Sequence, residues 1–313
     1  MLADRRLRSV LAVGVAIVFV IVVYQPGLNG PFVFDDLGNI TKRDVVQINE
    51  LTVAQLVDSA TGSLPSSVPF ALQRPLARLS FALNYYFSGR KFANSNFKIT
   101  NLVIHLVNSL LVLWLMYGLF RVWFESRTFL VSPFVSRAHW HWVPCIVAFL
   151  WAIHPIQLTS VLYVVQRMTS MSATAVLVGL AIFVLGRRWC DRGRVAGLWM
   201  MAAAVVFGTF LGVLSKETAL LLPLFVGLIE LAFFKRDQLN HNIRRSLCLG
   251  YALLLAVLVL LVVVVLTMRS DFILNAYEIR DFSLLERVFT QFRVLFMYLG
   301  LIIIPRLREF GLY

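Results

Sequence analysis

The sequence predicts an all-α polytopic membrane protein with about eight transmembrane helices, and three observations support this fold class. Of its 313 residues, 59% are hydrophobic and only 14% are charged, whereas roughly 25% are charged in soluble domains. The hydrophobic residues are concentrated in stretches of about the 17 to 25 residues that a helix needs to cross a bilayer. The loops between these stretches alternate in character, as expected when successive loops lie on opposite sides of a membrane.

The composition also excludes some classes of protein. The net charge of +13 does not indicate a nucleic-acid partner, because the basic residues are dispersed between apolar segments and form no basic stripe with interleaved aromatic residues. Cys145, Cys190 and Cys248 are far apart in or beside apolar segments, so their spacing fits neither a metal site nor a disulfide framework.

The first predicted span, residues 10–24, follows three arginines, which is also typical of a secretory signal. No small-x-small cleavage site follows it, so we interpret it as an uncleaved anchor. The further predicted spans are residues 99–120, 143–163, 169–185, 195–214, 218–234, 247–267 and 289–304, of which the last has the weakest pattern.

Basic residues cluster in one set of loops, which the positive-inside rule places in the cytoplasm together with the amino terminus. They are Arg5, Arg6 and Arg8; Arg121, Arg127 and Arg137; Arg187, Arg188, Arg192 and Arg194; and Lys235, Arg236, Arg244 and Arg245. Residues 25–98 then form a long first exoplasmic loop, whose own basic residues count little because loops above about 60 residues orient weakly. A bacterial inner membrane with an active site facing the periplasm fits this topology, and an endoplasmic-reticulum protein facing the lumen would obey the same rules.

The first exoplasmic loop is expected to be organised. Residues 53–59 and 76–87 have apolar residues at helical spacing and predict short amphipathic helices at the membrane surface, with turn-rich residues 62–69 between them. We expect a single transmembrane domain over residues 1–313. The chain stops eight residues after Pro305, which suggests that a carboxy-terminal part is missing.

Two adjacent carboxylates, Asp35 and Asp36, follow the first span by about ten residues and are the candidate catalytic residues. A carboxylate just outside the bilayer can act as a general base on an acceptor hydroxyl while a lipid-borne substrate is within reach. The alternative is a helix cap or turn beside Gly38. Phe32 and Phe34 are expected to anchor the segment at the membrane interface.

Several cations are expected on the same side. Arg74 and Arg78 are four residues apart, so they share one helix face and could grip a phosphate, unless that helix merely faces lipid headgroups. Lys216 either binds a phosphate or pairs with Glu217. The candidate residues for binding substrate or lipid phosphate are Arg74, Arg78, His154, Arg167, Lys216 and Arg293.

Polar residues also lie within the predicted spans. Asn101, His105 and Asn108 are spaced i, i+4 and i+7, so they form one helix face that must point into the protein, where interhelical hydrogen bonding is the expected role. Pro155 is expected to kink or end a helix near the exoplasmic surface. His154 beside it would by itself usually be structural.

Together these groups suit glycosyl transfer from a polyprenyl-phosphate sugar to an acceptor hydroxyl. The carboxylate would take the acceptor proton during attack on the anomeric carbon, and the cations would stabilise the departing phosphate. Such a leaving group needs little acid assistance, and the geometry is that of a single, inverting displacement. We predict no cofactor; a divalent metal bridging Asp35 and Asp36 is the alternative, and a loss of activity on chelation would reveal it.

Four stretches also resemble a known family. They are Phe32-Val33-Phe34-Asp35-Asp36; Arg74-Pro75-Leu76 through Leu79-Ser80-Phe81-Ala82-Leu83-Asn84-Tyr85; His154-Pro155-Ile156-Gln157 with Gln166-Arg167; and Ser215-Lys216-Glu217. In this order they resemble glycosyltransferases of the GT-C class, in the branch of the transmembrane and tetratricopeptide-repeat O-mannosyltransferases and their bacterial relatives. The span with Asn101, His105 and Asn108 looks like the family's second.

The resemblance implies that a carboxylate of the first extracytoplasmic loop is the base, with Asp35 slightly favoured over Asp36. It also implies a mannose-type donor and a protein or glycan acceptor. Two departures are evident: Leu158-Thr159-Ser160 stand where many relatives have an acidic residue after the His-Pro pair, and the repeat domain is absent. Both put the family's mode of acceptor recognition in doubt.

Two other functions compete with this one. A transporter or flippase for a lipid-linked sugar would also need cationic phosphate sites, but its coupling acids usually lie within spans. An inactive scaffold would bind a partner through the first exoplasmic loop.

Overall fold

The computed structural model describes residues 2–62, 73–126, 142–235, 239–268 and 281–310, and all regular secondary structure in these ranges is helical. The α-helices are α1 (Leu2–Tyr24), α2 (Val53–Thr61), α3 (Pro75–Phe87), α4 (Asn94–Ser126), α5 (Trp142–Ile153), α6 (Leu158–Leu162), α7 (Arg167–Asp191), α8 (Ala196–Val213), α9 (Leu222–Phe233), α10 (His241–Met268) and α11 (Leu284–Ile303). Short 3-10 or π turns connect several of them, at Gln25–Gly27, Leu37–Thr41, Asp44–Val46, Pro155–Gln157, Val164–Gln166, Glu217–Leu221 and Leu307–Phe310. Most of the predicted turn-rich stretch, together with Arg127, Arg137 and Arg236, lies outside the described residues.

Helices α1 to α9 belong to one compact unit, and α10 and α11 belong to a second. In the second unit, α11 begins with a capping box: Ser283 accepts from the N–H of Glu286, whose carboxylate accepts from the backbone N–H of Ser283.

A helical membrane protein is supported, but a count of about eight spans is not. Among the described residues, 3 helices are long and apolar enough to cross a bilayer: Asn94–Phe124, Val164–Asp191 and Ala196–Val213. A fourth span results if α5 and α6, which are bent by 53° at their junction, count as one. The predicted span 218–234 is shorter than expected, because a 3-10 turn precedes α9 and leaves that helix only 12 residues.

The bend between α5 and α6 lies at the His-Pro pair. Helix α5 ends at Ile153, and Pro155, which has no N–H to donate, opens the following 3-10 turn. The Nδ1 atom of His154 accepts a hydrogen bond from the N–H of Ile156 at 3.1 Å and so caps this turn. The proline therefore interrupts the helix where the sequence predicted.

The described part of residues 25–98, which the sequence predicts to be the first exoplasmic loop, packs as a layer on the helices instead of forming a linker. Its helices α2 and α3 agree with the two predicted amphipathic segments. Ile40, Val46 and Phe81 are buried in one cluster with Phe97 of α4 and Val164 before α7. The N–H of Leu76 donates to the carbonyl of Leu214 at 3.1 Å, which joins the start of α3 to the end of α8. The loop is thus held against the ends of α4, α7 and α8.

Helices α7 and α8 approach each other closely through glycines. A Cβ atom at Gly186 would lie 2.8 Å from the carbonyl oxygen of Gly197, and one at Gly208 would lie 3.3 Å from the carbonyl oxygen of Ala175. Small residues at such positions let two helix backbones pack without side chains between them.

Candidate active site

Asp36 is fully buried and fastens the first loop to the segment that precedes α7. Its Oδ2 accepts hydrogen bonds from the N–H groups of Val33 at 3.1 Å and Val164 at 3.4 Å, and its Oδ1 accepts from Val165 at 2.7 Å. Burial raises the pKa of this carboxyl, while the three N–H groups and the charge of Lys98 act in the opposite direction. These contacts match the turn-forming alternative more closely than a base.

Asp35, by contrast, is exposed. Its backbone N–H donates to the hydroxyl of Tyr163 at 3.1 Å, and its carboxylate also interacts with that hydroxyl. Phe34, just before it, has a left-handed backbone with φ 46°. The turn thus buries the carboxylate of Asp36 and exposes that of Asp35. Of the two, Asp35 is therefore the one that a substrate can reach.

Arg74 and Glu217 form a bidentate ion pair between α3 and the α8–α9 connection. The Nε and Nη2 atoms of Arg74 donate to the two carboxylate oxygens at 3.2 and 2.8 Å. Burial alone would raise the pKa of Glu217, but hydrogen bonds from its own N–H and from Arg74, with the charges of Arg74 and Lys216, hold it below its ordinary 4.5. The ion pair that the structure shows for Glu217 is with Arg74, a partner distant in the chain, and the charge of the neighbouring Lys216 also acts on its carboxylate.

Lys216 reaches the first turn of α7. Its ammonium group donates to Thr169 Oγ1 at 2.8 Å, and that hydroxyl donates to Gln166 Oε1 at 2.7 Å. Burial lowers the pKa of Lys216, the charge of Arg74 lowers it further, and Glu217 opposes both. Thr169 takes one of the three donors that an ammonium group offers.

Arg78 adds a further cation. Its Nη1 donates to the carbonyl of Gly62 at 3.1 Å, and its pKa is lowered by burial and then by the charges of Arg43 and Arg74. The charges of Arg43 and Arg74 can lower the pKa of Arg78 only if these side chains lie close to it. We call Arg43, Arg74, Arg78 and Lys216 the cationic cluster.

Arg167 has a different environment from the one that the sequence suggested. It is fully buried, and its guanidinium lies over the rings of Phe81 and Phe97 at 4.8 and 5.5 Å. Its donors reach four protein oxygens: Asn101 Oδ1 at 2.7 Å, Ser80 O at 3.1 Å, Asn84 Oδ1 at 2.7 Å and Phe97 O at 2.8 Å. These bonds hold α3, α4 and α7 together, so Arg167 supports the site and does not face an anionic ligand.

The polar face of α4 is buried between helices. Asn101 donates to the carbonyls of Val161 and Val164, both at 3.3 Å, and Asn108 donates to Ser170 O at 2.9 Å. His105 Nε2 lies 2.9 Å from Ala152 O. All three residues thus bond to neighbouring helices, in the structural role expected for them.

His154 and Arg293 are the remaining predicted residues. His154 caps its own turn and is half-buried. Arg293 is exposed on α11, in the second compact unit. Among the described residues, no group of three or more His, Cys, Asp or Glu side chains is arranged to hold a metal ion.

Three contributing residues were not identified from the sequence: Arg43, Tyr163 and Thr169. Tyr163 was placed at the end of a span, where a tyrosine is typical of the membrane interface. Arg43 and Thr169 stand in no recognisable motif. For Tyr163 the sequence does contain a signal, because this residue lies between the His-Pro and Gln-Arg pairs, both of which were identified as candidate site motifs.

An apolar groove begins beside the cationic cluster. It has a volume of about 770 Å³ and runs between α4, α7 and α8. Its lining includes Val178 and Phe207, and also Leu76 and Ser215, which are close in sequence to Arg74 and Lys216.

Comparison with known proteins supports the resemblance drawn from the motifs. The chain is 28% identical over 229 residues to Protein O-mannosyl-transferase Tmtc2 of Drosophila melanogaster. The match covers 73% of this chain and 22% of that protein, so the chain spans only about a fifth of the relative's length. No protein-family model matches the sequence, and no solved structure matches it.

Proposed function

We propose that this chain is the membrane part of a glycosyltransferase that moves a sugar, of mannose type, from a polyprenyl-phosphate donor to an acceptor hydroxyl. The observation that carries the proposal is that one segment, residues 163–169, binds both Asp35 and Lys216. An exposed carboxylate and a lysine of the cationic cluster are thereby both held by this segment. The similarity to an O-mannosyltransferase supports transfer of a sugar.

The connecting segment limits how far apart the two groups can lie. Tyr163 binds the amide of Asp35, and Thr169 binds the ammonium of Lys216. Six residues span at most about 20 Å when fully extended, and the 3-10 turn at Val164–Gln166 makes this segment shorter than that. This limit applies to the Cα atoms of Tyr163 and Thr169, and it is compatible with base and cations that bind the same sugar phosphate.

In the proposed reaction, the acceptor oxygen attacks the anomeric carbon while Asp35 takes the proton of the hydroxyl. The bond between that carbon and the phosphate oxygen breaks, and its electron pair leaves with the lipid phosphate. The cationic cluster stabilises the charge that develops there. A single displacement of this kind inverts the anomeric configuration.

The apolar groove supports a lipid-linked donor. A polyprenyl phosphate has an anionic head and a long hydrocarbon tail. The cationic cluster would bind the head, and the neighbouring groove would bind the tail. A free sugar nucleotide has no hydrocarbon tail that would occupy the groove. This favours a lipid carrier over a soluble donor.

We place the site on the exoplasmic face of a membrane with about eight spans and a cytoplasmic amino terminus, which in a bacterium is the periplasmic face of the inner membrane. The acceptor is a protein or a glycan, and the relative's name favours a protein. The proposed mechanism uses no metal, so chelation should leave transfer unchanged.

The test is transfer of labelled sugar in membranes supplied with a polyprenyl-phosphate mannose. We expect Asp35→Asn to lower transfer at least about 100-fold, since a general base contributes roughly 10²- to 10⁴-fold. Asp58→Asn, which removes an exposed carboxylate of α2 in the same loop, is the matched control and should keep normal activity. Unchanged transfer by the Asp35 variant would show that this carboxylate is not the base.

A further inference from the structure

The backbone of Phe34 is strained beside the proposed base. Its φ of 46° lies in the left-handed region, which a residue with a bulky side chain rarely adopts. Among the described residues, only Arg74 and Arg90 share this property without being glycine. Arg74 belongs to the cationic cluster, so two of the three strained residues lie at the candidate site.

Contacts of its neighbours hold Phe34 in this conformation. Asp35 is fixed through its amide by Tyr163, and Asp36 is fixed by three backbone N–H groups. The side chain of Phe34 itself gains little burial in return, because 66% of its surface is exposed. Strain that the residue's own packing does not offset is typical of functional positions.

The ring of Phe34 stands at the edge of the proposed site. Its centroid lies 6.1 Å from that of Tyr163, with an angle of 79° between the planes. Phe32, two residues earlier, packs instead against Phe92 and Phe97 in the loop layer, so it is not available to the membrane interface or to a ligand. Of the two aromatic residues that flank Val33, the turn exposes only the one next to Asp35.

We propose that Phe34, supported edge-to-face by Tyr163, is the platform on which the transferred pyranose ring stacks. This inference rests on the proposed function and names the subsite for the sugar. One face of a hexopyranose presents C–H bonds, which an aromatic face attracts through its negative quadrupole. The anomeric centre gains positive charge in the transition state, and an aromatic face attracts a cation more strongly.

The platform therefore acts more on the transition state than on the bound donor. An interaction that strengthens in the transition state raises the turnover number, and its loss lowers kcat more than it raises KM. A side chain that only anchored the loop in the bilayer would act through its hydrophobicity, and a leucine would replace it.

The test compares Phe34→Leu, Phe34→Tyr and Phe34→Gly in the same transfer assay. We expect Phe34→Leu to lower kcat at least about 10-fold with little change in the KM for the donor, and Phe34→Tyr to keep most activity. Phe34→Gly should raise the unfolding temperature, because glycine adopts the left-handed backbone without strain, and should still lose transfer.

Two results would overturn the inference. Full transfer by Phe34→Leu would show that hydrophobicity suffices, as for a membrane anchor. A lower unfolding temperature in Phe34→Gly, with activity lost in proportion to folded protein, would give Phe34 a structural role. Asp35→Asn assayed in parallel separates the two proposals: if it is inactive while Phe34→Leu is active, only the platform fails, and if it is active, the base assignment fails.

Discussion

At the residue scale, two chemically identical neighbours have opposite environments. Asp36 is covered and bound by Val164 and Val165, which lie 128 and 129 residues away in the chain, whereas Asp35 is exposed. The sequence predicted a carboxylate site at this position but could not distinguish the two residues. The contacts that separate them come from a distant segment and leave no local pattern.

Arg167 illustrates the same limit. The sequence has few acidic residues near Arg167, which favoured an external anion as its partner. In the structure its partners are neutral amide and carbonyl oxygens, from Asn101, Asn84 and two backbone groups. Because any residue can supply a carbonyl, sequence reasoning that searches for opposite charges misses such partners.

The ion pair of Arg74 with Glu217 should make stability depend on pH. The pKa of Glu217 is lower in the folded protein than its ordinary 4.5 in the unfolded chain. The ionised carboxylate therefore stabilises the fold above the unfolded pKa, and this contribution is lost as the pH falls through the folded pKa. Thermal unfolding in detergent should show Glu217→Gln less stable than wild type at pH 7, by less than about 1 kcal/mol because the pair is partly exposed. The difference should disappear as the pH falls through the folded pKa of Glu217, which lies below 4.5. A difference that stays constant would contradict the role of the charged pair.

At the scale of elements, α7 carries the site at one end and a buried ion pair at the other. Arg167 and Arg187 are both fully buried and are twenty residues apart, which is about 30 Å along a helix and close to the thickness of the bilayer core. The predicted span, residues 169–185, stopped short of both arginines because charged residues indicate loops. Their partners inside the protein allow the helix to continue.

Arg187 and Glu230 form a buried ion pair, and removing one partner should lower the stability of the protein more than removing both. Arg187 Nε lies 3.1 and 3.0 Å from the two oxygens of Glu230, and its guanidinium also contacts Asp191 and the Phe234 ring. We expect Glu230→Leu to destabilise the protein, but by less than the about 3 to 5 kcal/mol typical of an unpaired buried charge, because Arg187 keeps its ion pair with the partly exposed Asp191. Adding Arg187→Met should restore most of that loss, as measured by denaturant unfolding in detergent. A double variant no more stable than the single one would contradict this account.

Close packing of α7 on α8 should make one glycine irreplaceable. A Cβ atom at Gly197 would collide with the carbonyl oxygen of Gly186, and neither backbone can move without separating the helices. Gly197→Ala should therefore lower the unfolding temperature by several degrees and reduce expression.

The matched control is Gly227→Ala on α9, where nothing lies within 4 Å of an added Cβ. This change should be neutral or stabilise the protein by up to about 1 kcal/mol, since alanine favours a helix. Equal losses in both variants would argue against the close contact.

At the scale of the whole molecule, composition and hydrophobic spacing predicted the helical membrane fold and the two short helices of the first loop. The number of spans was not supported. For the predicted span 218–234 the reason is that hydrophobicity alone does not show where a 3-10 turn shortens a helix, as it does before Leu222. The polar face of α4 was predicted correctly as interior, since a bilayer tolerates such groups only against protein. The contacts of the site depend on which loops meet, and local patterns do not contain that information.

The positions of the acidic residues argue against the transporter alternative. A coupling carboxylate should lie within a span and be able to exchange its proton. Among the described residues of α1 to α9, the acid most deeply buried within a helix is Glu230, and both its oxygens are bound by Arg187. Asp35, by contrast, is exposed and lies in the loop between α1 and α2, as a base for an external hydroxyl requires.

We propose that Asp35 is the general base and that Asp36 holds the loop in place through its hydrogen bonds to backbone N–H groups. The most direct measurement is sugar transfer and thermal unfolding on Asp35→Asn and Asp36→Asn side by side. Asp35→Asn should unfold within about a degree of wild type and lose at least about 100-fold in transfer, because an exposed side chain contributes little to stability. Asp36→Asn should be destabilised by about 1 to 3 kcal/mol, because an amide cannot accept all three N–H bonds, and should lose transfer only as it loses folded protein. Full transfer by a stable Asp35→Asn, or an inactive Asp36→Asn of wild-type stability, would contradict the account.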